Sequence, residues 1–196
     1  MYRLAALFFL FNLLFAQPQD NFEKAKTASI KETPQKVTPT QKKISIKEAT
    51  LKAINSLRSN NQICAKATTP LIWNETLYNY AKEHAIDMAT HNFIGHDGSG
   101  KESDLTAKRL GLKRGSHFYE RVNQEKDSKK ILSGEIVLAV NSSSMTRPKD
   151  VLNYWINREK DCQVIMDERF SDVALAKVVN NKTKKAYWVL LLAGRR

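Results

Sequence analysis

The residues Ala186-Tyr187-Trp188-Val189-Leu190-Leu191-Leu192-Ala193 are apolar at nearly every position. A half-solvated strand alternates apolar and polar side chains, so a run with no polar face belongs in the middle of a sheet, covered on both sides. Val173 to Val179 form a second strand before it, and Asn180-Asn181-Lys182-Thr183 between them carry a hairpin signal. Ile131 to Val140 read as a third strand, interrupted only by Ser133-Gly134-Glu135 near its start. A carboxylate inside such a run is unusual. A sheet with two apolar faces needs helices on each, which predicts a layered α+β domain.

The helices are legible from their caps and periods. Ser45-Ile46-Lys47-Glu48 is a capping box, and Ile46, Ala49, Ala53 and Leu57 follow on one stripe, widened by Ile54. Asn74 is a good N-cap for a helix running to about residue 91, with Leu77, Ala81, Ala85 and Met88 on its apolar face. The glycines of Phe93-Ile94-Gly95-His96-Asp97-Gly98 then break the pattern and set His96 on a loop, where chemistry tends to sit. A short helix from about Asp104 to Leu110 is closed by Gly111. Thr146 is a cap candidate and Pro148 suits a first turn, with Val151, Leu152 and Trp155 continuing that helix. Lys113 to Lys130 are polar and highly charged and read as a loop or insertion.

Met1-Tyr2-Arg3, the apolar run Leu4 to Phe15 and then Ala16-Gln17 read as a secretion signal over 1–16. An uncleaved anchor is the less favoured alternative, because a membrane-spanning helix needs about 20 apolar residues. Residues 17–44, rich in Lys, Thr, Gln and Pro, read as a flexible linker. The folded domain is then 45–196, and the protein is expected to be secreted or periplasmic. No internal repeat is evident. The net charge of +12 favours anionic envelope surfaces, whether lipid or glycan. Its basic residues are scattered in pairs such as Lys108-Arg109, Lys113-Arg114, Lys129-Lys130 and Lys184-Lys185, and no nucleic-acid motif accompanies them, so no specific nucleic-acid partner is expected. In an oxidising compartment the only cysteines, Cys64 and Cys162, are most simply a disulfide. A nucleophilic cysteine is the alternative, though neither sits in an activating context.

Several stretches together resemble one family. They are Asn55-Ser56-Leu57-Arg58; Leu71-Ile72-Trp73-Asn74; Ala81-Lys82-Glu83-His84-Ala85-Ile86-Asp87-Met88-Ala89; and Phe93-Ile94-Gly95-His96-Asp97-Gly98. These look like the first half of a bacterial CAP domain, the superfamily of cysteine-rich secretory, antigen 5 and pathogenesis-related 1 proteins, also called SCP. Gly134-Glu135-Ile136 resembles its Gly-Glu-Asn motif, and the stretch Trp155 to Cys162 its Trp-x-x-Ser-x-x-His-Cys motif. The resemblance covers about residues 45–193. It implies a three-layer α-β-α sandwich and a cavity lined by two histidines and two acids, which in some members binds a divalent metal. By position His96 matches the first histidine, Glu135 the acid of Gly-Glu-Asn, and Cys162 the His-Cys cysteine. Glu102 is a candidate for the other acid. Asp161 stands where the second histidine belongs, Arg158 replaces the serine and Ile136 the asparagine.

His96, Glu135 and Asp161 are one nitrogen and two oxygen donors, a legitimate set for zinc, although Arg158 nearby would repel a cation or pair with either acid. A cavity in which His96 and Glu135 are hydrogen-bonded for structural reasons is the simpler expectation, and no cofactor is firmly implied. His84 beside the apolar stripe reads as structural, His91 suits a helix C-terminus, and His117 has no evident partner. Asn74, Asn141 and Asn181 begin glycosylation sequons, the first better explained as a cap. No G-x-S-x-G is present. The expected function is a monomeric, non-catalytic binding module for a lipid, glycan or protein partner. The alternatives are a hydrolase, metal-assisted or not, with His96 and Glu135 as its catalytic pair, and an adhesin held to anionic surfaces by charge.

Overall fold

A computed structural model describes residues 44–123 and 132–194. The secretion signal, nearly all of the linker and part of the charged 113–130 segment lie outside the described residues. The elements in chain order are α1 (Ile46–Arg58), β1 (Ile72–Trp73), α2 (Glu75–His91), α3 (Leu105–Leu110), α4 (Phe118–Val122), β2 (Leu132–Asn141), α5 (Pro148–Ile156), α6 (Glu159–Met166), β3 (Asp172–Asn180) and β4 (Lys185–Gly194).

The sheet has the order β1-β3-β4-β2, with β4 antiparallel to both neighbours and β1 parallel to β3. The apolar run is therefore an inner strand, as its lack of a polar face requires. Its side chains divide by parity. Ala186, Trp188, Leu190 and Leu192 join a core with Ile54 of α1, Leu152 and Trp155 of α5, and Ile165 of α6. Tyr187, Val189, Leu191 and Ala193 join a second core with Leu77, Ala81, Ala85 and Met88 of α2 and Val122 of α4. Helices thus cover both faces, and the fold is α+β in three α-β-α layers.

The caps act as their sequences suggest. Ser45 Oγ accepts from Glu48 N at 3.2 Å while Glu48 Oε2 accepts from Ser45 N at 3.0 Å. Asn74 Oδ1 accepts from Leu77 N at 3.1 Å, and its amide donates to Asp172 Oδ1 at 3.0 Å, tying the start of α2 to β3. Asp104 caps α3, and Gly111 closes it in the left-handed region at φ 65°. Three features differ from expectation. The cap of α5 is Arg147, not Thr146, because Pro148 occupies the first helical position. The 113–130 segment contains a helix, α4, too short to show a period. A two-residue strand, β1, is held to β3 and gives no pattern of its own.

Arg58 fastens the outer layer. It is buried, and its guanidinium donates to the carbonyls of Thr69 at 2.7 Å, Ile165 at 2.6 Å and Asp167 at 3.1 Å. The disulfide Cys64–Cys162 joins the connection after α1 to α6, with the Cα atoms 6.0 Å apart. It spans 98 residues of chain, a long loop whose closure restricts the unfolded state. Replacing both cysteines by serine is expected to lower the unfolding free energy by about 2–5 kcal/mol, read as a fall in the urea midpoint. An unchanged midpoint would show that the bridge adds nothing to the packing around it.

Candidate functional site

The loop after α2 is fixed by two buried carboxylates. Asp87, in the last turns of α2, accepts from Ser99 N at 2.7 Å, from Ser99 Oγ at 2.6 Å and from Ser103 Oγ. Asp104 accepts from Ser116 N at 2.9 Å, Ser116 Oγ at 2.7 Å, Gly100 N at 3.1 Å and Ala107 N at 3.0 Å. Burial alone would raise the Asp104 pKa, but these donors together hold it below the ordinary carboxylate value. Gly98 N donates to Ser116 O at 2.7 Å, so the His96 loop and the approach to α4 are joined side by side. A Cβ on Gly98 would run into the Asp104 carboxylate, which explains the glycine.

Against this frame the structure brings His96 and Glu135 together. Glu135 pairs with Leu191 across β2 and β4 and so sits on the sheet face covered by α2. Its neighbour Gly134 is on the opposite face, where a Cβ would come within 2.9 Å of Phe170 and 3.0 Å of Val164. His96 Nδ1 lies 2.9 Å from Glu135 Oε1, with the imidazole 58% exposed and the carboxylate 1%. The hydrogen bond to Glu135 raises the His96 pKa, offsetting its partial burial.

The second oxygen of Glu135 is taken by Arg121 of α4, whose Nη2 is 3.0 Å from Oε2 and whose side chain is equally buried. The same nitrogen donates to His96 O at 2.6 Å, while Nη1 reaches Ser116 O at 3.0 Å and Ser116 Oγ at 3.1 Å. Sequence reasoning missed Arg121. It lies in the charged segment with no diagnostic spacing to His96, and the only available signal was that a buried glutamate requires a cation from somewhere.

His84 of α2 supports the loop from beneath. Its Nε2 is 2.7 Å from Gly95 O, and because a carbonyl can only accept, that nitrogen carries the proton. Burial, reinforced by the charge of Arg121, depresses the His84 pKa. Phe118 meets the His96 ring edge-on at 6.3 Å. His117, which had no evident partner, lies 2.6 Å from Asp97 Oδ1 and stacks on Tyr119.

The remaining predicted residues are arranged differently. Asp161, at the start of α6, is close enough for the His96 charge to act on its carboxyl, but its direct partner is Arg158, at 3.0 Å. Desolvation raises the Asp161 pKa despite that partner. Arg158 also donates to Tyr154 OH at 2.8 Å and lies over the Tyr154 ring. Glu102 is not brought to the cavity. Its side chain is 90% exposed and paired with Lys108, as a solvated loop carboxylate would be.

As arranged, the donors fall short of a set for a divalent ion. With Nδ1 bonded to Glu135, His96 can offer only Nε2, one nitrogen where a zinc site usually needs three protein ligands; both Glu135 oxygens are engaged, one of them by a guanidinium, and Asp161 is held by Arg158. Among the described residues no group of three His, Cys, Asp or Glu side chains is placed to hold a metal.

The model of the cysteine-rich secretory protein family, CAP, matches residues 51–192. Among solved structures, the chain is similar to an extracellular protein containing an SCP domain from Bacillus anthracis, at 17% identity and a TM-score of 0.55. That match covers 76% of this chain but only 40% of the Bacillus chain. It is also similar to an outer surface protein from Borrelia burgdorferi, at 19% identity and a TM-score of 0.53, covering 78% of this chain and 97% of that one. No curated protein matches.

The two histidines should titrate in opposite directions. His96, raised by its bond to Glu135, gives stability that is fully present below the unfolded imidazole pKa and lost as pH rises through its folded value. His84, depressed by burial, gives stability present above the unfolded value and lost as pH falls toward its folded value. Imidazole titration by NMR is expected to place His96 above and His84 below the ordinary value, with a folded Glu135→Gln variant bringing His96 down. A His96 that titrates at the ordinary value would show that the carboxylate does not act on it.

Proposed function

The chain belongs to the cysteine-rich secretory protein family, and from that premise we propose that it is an exported, non-catalytic binding module for an anionic lipid or glycan of the envelope. Export is supported by the basic and apolar start of the sequence, by a disulfide of the kind oxidising compartments sustain, and by fold neighbours that are extracellular or outer surface proteins. The net charge of +12 supports attraction to an anionic surface, with an affinity that falls as salt rises. A protein partner at the same envelope is the other form of this reading.

One observation carries the non-catalytic part. The charge of Glu135 is answered by Arg121, and among the described residues no hydroxyl or thiol is hydrogen-bonded to His96 as a nucleophile would be. The serines nearest in the loop are committed to Asp87 and Asp104, and both cysteines are in the disulfide. The second reading is a hydrolase with His96 as general base. It is favoured by the half-exposed imidazole oriented by a carboxylate, an arrangement that can activate water.

Co-sedimentation separates them. The purified protein is expected to sediment with anionic phospholipid vesicles or acidic cell-wall glycan at low salt, less so at moderate salt, and not with neutral vesicles. His96→Ala should bind equally. Loss of binding in that variant without a change in melting temperature would overturn the reading, and hydrolysis of ester, phosphoester or glycan substrates that vanishes with His96 would replace it.

A further inference from the structure

Glu135 puts a full negative charge inside the molecule, and the charge that answers it belongs to the chain itself. We propose that the Arg121 guanidinium is the built-in cation of this cavity: it neutralises Glu135 and fixes the loop carrying His96, so the site assembles without a metal ion.

The geometry supports this in two ways. First, Arg121 uses four bonds at the site, to Glu135 Oε2, His96 O, Ser116 O and Ser116 Oγ, and all of them converge on the elements that make the cavity. The planar fork of a guanidinium matches a carboxylate and two carbonyls at once, which a point charge could not do. Second, His84 and Arg121 hold consecutive carbonyls, those of Gly95 and His96. The peptide unit that presents His96 is therefore clamped by one residue from α2 and one from α4, the task that loop-ordering metal ions perform elsewhere.

A divalent ion at Glu135 would share a buried carboxylate with this guanidinium, where repulsion is poorly screened, and would have to displace a charge that cannot be removed by deprotonation. The inference concerns how the cavity is held and does not rest on the identity of its partner.

The test uses the full chain. Zinc titrations of wild type and His96→Ala by calorimetry should give the same isotherm up to millimolar metal, and exhaustive dialysis against EDTA should leave the ring-nitrogen NMR signals of His96 unmoved. Arg121→Met should shift those signals, and Arg121→Lys, which keeps the charge but loses the fork, should shift them less. A zinc site in wild type that disappears in His96→Ala would overturn the proposal. So would a His96 signal that EDTA moves, or a folded Arg121→Met protein with wild-type His96 signals. If the Arg121 variants do not fold, the zinc and EDTA arms decide alone, since His96 is half exposed and its truncation leaves the core intact. These readouts follow the cation, so they can fail while the co-sedimentation result stands, and the reverse.

Discussion

A carboxylate inside a protein must be given hydrogen-bond donors or a counter-charge, because the alternative is an ion stripped of water. Placing Glu135 on the inner face of β2 imposes that requirement, and the surrounding architecture meets it. The short helix α4 brings Arg121 to one oxygen, and the loop after α2 brings His96 to the other. Removing one member of a buried pair such as Glu135 and Arg121 typically costs about 3–5 kcal/mol, far more than an exposed ion pair is worth. The contrast with Lys108 and Glu102, a short salt bridge between exposed side chains, shows why distance alone says little about importance.

The loop is organised so that this arrangement is fixed by the chain's own contacts. Asp87 and Asp104 accept from the hydroxyls of Ser99, Ser103 and Ser116 and from the backbone amides of Ser99, Gly100, Ala107 and Ser116. A loop pinned at two buried acids has little freedom left at the residues between and beside them. His96 is therefore presented to solvent by a support that is itself polar and buried. Such networks cost stability when partly satisfied and give specificity when complete, and here nearly every member has its partners.

How much of this was legible in the sequence follows from how local each signal is. The run ending in Leu191-Leu192-Ala193 had to be an inner strand whatever its neighbours, because no face of it tolerates water. Ser45 and Asn74 could be read as caps since their partners lie three residues away. The Gly134 and Glu135 pair was visible as an interruption of an apolar strand, and its two faces explain it, the glycine packing under Phe170 and the acid turned to the opposite side. Arg121 was not visible, because its role is set by contacts 14 and 25 residues away in sequence across a helix too short to announce itself. Glu102 was drawn toward the cavity by proximity in sequence, yet a loop can turn a side chain outward within a few residues.

The departures from the family pattern make sense together. Ile136, where the family has asparagine, is 4% exposed and belongs to the apolar core beneath α5 and α6, so that position packs rather than bonds. Arg158 and Asp161, in the places of the serine and the second histidine, pair with each other, and Arg158 leans on Tyr154. A second imidazole near His96 would have offered a donor to a cation, whereas an aspartate with its own arginine adds no net charge and is already occupied.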